Sequence, residues 1–175
     1  SEIDHYLESE FPGVDKPGNL VDSETYSSSL ETWSNYLDVA IARFLGEWRT
    51  DDLLINIYPS NQDNTTCILA IRRNRTAFNE GIIDENSEQL HSDSEGIGDY
   101  NLNNDTLVRF EEYLIWSYYA SGEGISKHIP LIFAESPQRP DALLGDNPYR
   151  YEIIDRFETA GCFIPLNATA SENGV

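Results

Sequence analysis

Apolar residues recur at alternating steps of three and four between Ser29 and Trp48, at Leu30, Trp33, Leu37, Ile41, Phe44 and Trp48. That spacing gathers them on one face of an amphipathic helix, and Ser28 and Glu31 stand at capping-box spacing at its start. Two aliphatic runs follow, Leu53 to Tyr58 and Thr65 to Arg73, separated by the turn-rich stretch Pro59 to Asn64; they predict an antiparallel hairpin. With a period of two, Ile55 and Ile57 share one face, and Cys67, Leu69 and Ile71 form the matching face of the second strand. Cys67 then reads as a buried core residue.

From Asn74 to Asp105 the pattern turns polar, punctuated by Gly81, Gly96 and Gly98, and reads as a long loop with at most a short helix around Phe78 to Leu90. Thr106 to Ser121 is apolar nearly all round, through Leu107, Phe110, Leu114, Trp116 and Tyr118, and predicts a central helix capped by Asn104 or Asp105. His128 to Glu135 reads as a strand, Pro148 to Ala160 as a helix stopped by Gly161, and Cys162 to Leu166 as a closing strand. The expected fold class is therefore α+β: a mixed β-sheet of about four strands with three main helices, in the order α-β-β-loop-α-β-α-β. The last strand-helix-strand has the makings of a parallel crossover. Residues 1–27 are expected to form an acidic arm packed on the domain, with a short helix near Ile3 to Ser9. Residues 28–166 form the single domain and 167–175 a tail.

Composition adds one strong constraint. Of the 175 residues, 31 are acidic and 11 basic, a formal charge of −20, and only Lys16 and Lys127 are lysines. Replacing the counterions of a nucleic acid needs clustered Lys and Arg, and the only basic cluster is Arg72, Arg73 and Arg75, so direct nucleic-acid binding is excluded. Two readings of the acidity remain: solubility in a salty milieu, or an acidic face that docks a basic protein. No apolar run approaches the roughly 18 residues of a membrane span, so no membrane association is expected. A cytoplasmic location is the expectation, with export left open because the sequence has no Met at all. Cys67 and Cys162 are too few for a disulfide scaffold and read as two buried thiols.

Candidate chemistry is sparse. Asp99, Asn101, Asn103, Asn104 and Asp105 alternate like a calcium loop, but the sixth and twelfth places hold Asn104 and Phe110 in place of Gly and Glu, so the stretch reads as a turn with an N-cap. Pairing of Cys67 with His128 as nucleophile and base needs adjacent strands, and Glu111 and Glu112, neighbours on a helix, diverge too far to act as an acid/base pair. The three arginines are expected to pair with nearby carboxylates. Four Asn-x-Ser/Thr sequons occur, at Asn64, Asn74, Asn104 and Asn167; a chain this rich in Asn, Ser and Thr throws up about two by chance, so they read as chance occurrences, with glycosylation acceptors the alternative. No catalytic residue, cofactor or metal is implied.

The reading that follows is a non-enzymatic acidic protein docking a basic protein partner, as an inhibitor, immunity protein or nucleic-acid mimic does. Glu85, Glu88, Asp93 and Glu95, with Tyr149 and Tyr151 at the start of the last helix, are its expected contacts. The alternative is a small-molecule-binding sensor or enzyme, with a pocket between hairpin, aromatic helix and last crossover reached by Arg72, Arg73, Tyr118 and His128. A structural subunit, marked by a large exposed apolar patch, is a third possibility.

Overall fold

Runs of β-branched and aromatic residues joined by very tight turns place more of the described residues in strands than in helices. The structure, a computed structural model, describes residues 23–166. Two helices, α1 (Ser23–Ser34) and α2 (Val39–Ala42), precede nine strands: β1 (Gly46–Thr50), β2 (Leu53–Pro59), β3 (Thr65–Arg72), β4 (Arg75–Asp84), β5 (Gln89–Ser92), β6 (Ile97–Gly98), β7 (Thr106–Phe110), β8 (Tyr113–Ala120) and β9 (Ile125–Glu135). Helices α3 (Pro140–Leu144) and α4 (Arg150–Thr159) follow. Eight of the strands close on themselves in the order β1-β2-β3-β4-β5-β7-β8-β9, every pair antiparallel, with β9 returning to β1 and β6 an extra partner of β4. The fold is a closed antiparallel barrel, and the expected α+β class with four strands in a mixed sheet is wrong.

The largest difference lies at 106–121, which forms the hairpin β7–β8 and no helix. Phe110 pairs with Tyr113, leaving Glu111 and Glu112 as a two-residue loop with Glu111 at φ 49°. Strands buried on both faces are apolar throughout, as a buried helix is, and here the β-forming residues Val108, Phe110, Tyr113, Ile115 and Trp116 decide the matter. The expected loop at 74–105 likewise becomes β4, β5 and β6. Its first turn is Arg73 and Asn74, with Arg73 at φ 57°. Two-residue hairpin loops favour such left-handed residues, usually Gly or Asn; neither Arg-Asn nor Glu-Glu advertises one.

The helical comb of Leu30 to Trp48 serves three elements. Asp38 caps α2 through its carboxylate, which accepts from the Ala40 amide at 2.9 Å, and ends the continuous helix. Gly46, at φ 135°, then opens β1; a Cβ there would overlap the Phe133 ring. Trp33, Ile41, Phe44 and Trp48 still share one core, so the face is as expected although the element is not. The hairpin 53–73 and the strand ending at Glu135 form as expected, and Pro148 to Ala160 contains α4. Cys162 makes only an isolated bridge to Ser60, so the parallel crossover does not exist. The expected helix near Ile3 and the 167–175 tail lie outside the described residues.

Register separates the two largest of three core clusters. Ile55 opposes Ala70 and Ile57 opposes Ile68, facing inward onto Trp48, Leu107, Leu114, Trp116, Leu131 and Phe133. Tyr58 opposes Cys67, so Cys67 faces outward with Leu69 and Phe78, one residue out of phase with the expected pairing. Helix α4 covers that outer face with Ile153, Phe157 and Ala160. Cys67 forms a disulfide with Cys162, 95 residues away, in place of the two separate thiols expected. Among the described residues, no helix is long and apolar enough to cross a membrane.

Beneath the opposite barrel end, the segment between β6 and β7 folds inward: Leu102 is buried, and the Ser92 hydroxyl donates to its carbonyl. Asp105, half-buried beside it, accepts from the Trp116 indole at 2.9 Å. Burial pushes its pKa up to about 6. A raised carboxyl favours the protonated fold, so this contribution is fully present below the unfolded value near 3.9 and is lost as pH rises through about 6. Asp105→Asn is expected to flatten that part of the urea-stability profile between pH 4 and 6. At pH 7 it should stabilise by about 1 kcal/mol, after discounting for solvent screening of a half-exposed group. Replacing both cysteines by Ser should lower the unfolding free energy by roughly 2–5 kcal/mol, the range for a bridge closing so long a loop, and remove the sensitivity of the melting temperature to reductant.

Candidate functional site

Arginine inside a closed barrel needs partners for all its donors, and Arg109 on β7 finds them in the backbone. Its Nε donates to the Arg43 carbonyl at 2.8 Å, one Nη to the Glu111 carbonyl at 2.8 Å, and the other to the Tyr113 carbonyl. The guanidinium lies 4.8 Å over the Tyr26 ring and 4.7 Å over Trp48. Burial lowers its pKa, yet guanidinium stays charged throughout the ordinary pH range. The Tyr26 hydroxyl also donates to the Arg43 carbonyl, at 2.9 Å. Arg109 and Tyr26 together fasten the end of α2 to the barrel.

This fastening leaves a cavity of about 590 Å³ between α1, α2 and the adjoining strand ends. Tyr26, Leu30, Val39, Ala40, Phe44 and Ile83 give it apolar walls, and Asp38, Glu85, Glu88 and Glu111 bring carboxylates to it. Among the described residues, Arg43 is the opposing cation besides Arg109, and it lies 3.6 Å from Glu88. The volume suits a small molecule. Among the described residues, neither serine, cysteine, histidine nor lysine lines it.

The expected contact residues divide between distant places. Glu85 and Glu88 come together at the turn between β4 and β5 and border the cavity. Asp93 and Glu95 do not join them: Arg156 of α4 donates to the Asp93 carboxylate at 3.0 Å and to the Glu95 carbonyl at 3.3 Å, and also holds Glu80 at 2.6 Å. Tyr149 packs into the core under α4, whereas Tyr151 is 86% exposed on its far side.

The alternative set is also scattered. Arg72 pairs with Asp52 at 3.2 Å and donates to the Tyr100 hydroxyl at 3.0 Å, and Arg73 lies 3.8 Å from Asp52. Arg75 donates to the Asp99 carbonyl at 3.0 Å. Tyr118 stacks on Trp116 with centroids 4.6 Å apart, near that same end of the barrel, opposite the cavity. His128 is on β9, its Nδ1 2.7 Å from the Ser117 hydroxyl, and Cys67 is already bonded to Cys162, so no Cys–His pair forms. The pocket expected beside an aromatic helix has no such helix to line it.

Two further polar clusters are structural. Glu47 is fully buried outside β1, receiving hydrogen bonds from Arg49, Asn56 and Gln138, which dock the chain leaving β9. The calcium-like stretch folds on itself, with Asp99 accepting from the Thr76 amide at 2.7 Å and Asn103 accepting from Gly96 and Asn79. Among the described residues, no group of three His, Cys, Asp or Glu is arranged to hold a metal.

Arg109, Tyr26, Asp38, Arg43 and Glu111 are cavity residues that the sequence reading misses. A signal existed for Arg109 alone, the single charge in the run from Leu107 to Phe110, where alternation places it on the inward face with Leu107. Arg109→Met should destabilise the fold by about 2–4 kcal/mol, because buried carbonyls lose their donors. Faster amide exchange in α2 would locate the effect, and unchanged exchange there would refute the fastening role. No protein family, curated protein or solved structure matches this chain.

Proposed function

We propose that this is a non-enzymatic binding protein whose ligand is a small organic cation with an apolar body, held in the cavity beside α1 and α2. The observation that carries the reading is the composition of that cavity: apolar walls bordered by Asp38, Glu85, Glu88 and Glu111 against Arg43, while Arg109 is turned into the backbone. An ammonium at the rim keeps its water and meets carboxylates, while its hydrocarbon part leaves water against Leu30, Phe44 and Ile83. Eight strands enclose about the right width for side chains or one small ligand, and here the interior holds Trp48, Trp116 and Phe133, so the site lies at the barrel's end.

The reading of a basic protein partner keeps Glu85 and Glu88 but loses the support of Asp93, whose carboxylate pairs with Arg156, while Glu95 gives Arg156 its backbone carbonyl and stands at that other place. A recess with apolar walls favours the small molecule over a flat acidic face. The Cys67–Cys162 disulfide supports an oxidising compartment in place of the cytoplasm.

Calorimetric titration of the full chain with 2-phenylethylammonium and its neutral alcohol analogue tests the proposal. The amine is expected to bind about tenfold more tightly, near 1.4 kcal/mol. Glu85→Gln with Glu88→Gln should remove most of that preference, as two exposed pairs contribute up to about 1 kcal/mol each. Leu30→Trp, which fills the cavity, should abolish binding of both. Equal affinity for amine and alcohol would overturn the reading, as would an amine affinity untouched by the two glutamine substitutions; tight binding of a basic polypeptide that Leu30→Trp leaves intact would favour the protein partner.

A further inference from the structure

We infer that Asn74 and Asn104 carry N-linked glycans, attached while the chain passes through an oxidising, glycosylating compartment. The inference is independent of the cavity and rests on three observations. Both residues open sequons, Asn74-Arg75-Thr76 and Asn104-Asp105-Thr106. Each stands exposed in a turn, Asn74 in the two-residue loop between β3 and β4 and Asn104 at φ 58° just before β7. The Cys67–Cys162 disulfide, finally, belongs to a compartment where thiols are oxidised.

Unlike several asparagines of the same domain, these two keep their side-chain amides out of the fold's hydrogen bonds. Asn56, Asn79, Asn101, Asn103 and Asn147 all engage theirs in internal hydrogen bonds. Among the described residues, the amides of Asn74 and Asn104 have no such partner, so a sugar on either displaces nothing the fold uses. The hydroxyls at the third sequon position are taken after folding, that of Thr76 by the Asn147 amide at 2.8 Å and that of Thr106 by His91 at 3.2 Å. Transfer therefore precedes folding. In it the Asn amide nitrogen forms a bond to the anomeric carbon of a polyprenyl-diphosphate-linked oligosaccharide. The bond from that carbon to the diphosphate oxygen breaks, polyprenyl diphosphate leaves, and the amide proton passes to a base of the transferase.

The turn between β3 and β4 and the start of β7 lie at the same end of the barrel, and Ile83, Arg109 and Glu111 of the cavity lie at the other ends of β4 and β7. Two glycans would sheathe the far end and leave the cavity open. Asn64 also opens a sequon, but it is half-buried at the start of β3 and is left out of the assignment.

The test is to secrete the full chain from insect or mammalian cells, treat it with an amidase that releases N-glycans in heavy-oxygen water, and map the peptides. Labelled Asp at positions 74 and 104 is expected, and Asn74→Gln and Asn104→Gln should each remove one glycan from the intact mass. The double variant should keep the near-ultraviolet circular dichroism and the disulfide, because neither amide supports the fold. Secreted, disulfide-bonded protein without label at either position would overturn the inference, as would label at Asn64 alone or a chain that is never secreted.

Discussion

Everything in this molecule follows from closing a sheet on itself, and the closure is made where β1 meets β9. A strand with a neighbour on only one side exposes a row of backbone donors and acceptors; a closed barrel has none. Here the joining strand is only five residues long, and it must lie between β2 and β9 while its register shifts between Glu47 and Trp48. Gly46 lets the backbone enter against the Phe133 ring, and Trp48 then meets Phe133 at 5.4 Å between ring centroids. One residue earlier, Glu47 points the other way into a fully buried set of hydrogen bonds. Alternation at the seam places a tryptophan inside and a carboxylate outside within two consecutive residues. Loss of that local arrangement would expose both edges at once.

Closure divides the apolar residues among three clusters, the third being Tyr113 and Ile115 with Phe110 and Ile132; the two largest lie on either side of the sheet. Inside are the tryptophans, leucines and isoleucines that fill the barrel; outside, under α4, are Tyr58, Cys67, Leu69, Phe78, Ile153 and Phe157. Polar stitches hold the layers in place: Arg109 and Tyr26 at the helix-covered end, Arg156 with Glu80 and Asp93 beside α4, and the Tyr58 hydroxyl, which donates to the Gln138 carbonyl at 2.6 Å. With only 11 basic residues to 31 acidic ones, several of the arginines are engaged in such stitches. The acidic surplus is left to the surface and to the border of the cavity.

What the sequence discloses is governed by whether the signal is local. The hairpin of β2 and β3, β9 and α4 are legible because alternation, turn residues and a glycine stop all lie within each element. Strands β4, β7 and β8 are not, because their turns place Arg73 and Glu111 in left-handed geometry that their identities do not announce, and because burial on both faces erases the period of two. The comb from Leu30 to Trp48 marks the right face but cannot show that Asp38 and Gly46 cut it into helix, helix and strand. For the cavity, Glu85 and Glu88 could be picked out as acidic; their meeting with Asp38 and Glu111 depends on strand order, which no local pattern carries.

Among these features the bond between Cys67 and Cys162 also sets how the molecule responds to cleavage. It spans all the strands from β4 to β9 and both helices after them. A protease that cuts any one turn within that span, such as the exposed one at 121–124, leaves two pieces still covalently joined, with every strand pairing of the barrel available to them. A nicked molecule of this kind keeps its mass apart from one water and separates into fragments only when the bridge is reduced. Resistance to being dismantled by a protease is therefore a property of the circuit that the disulfide closes, over and above the stability of the fold.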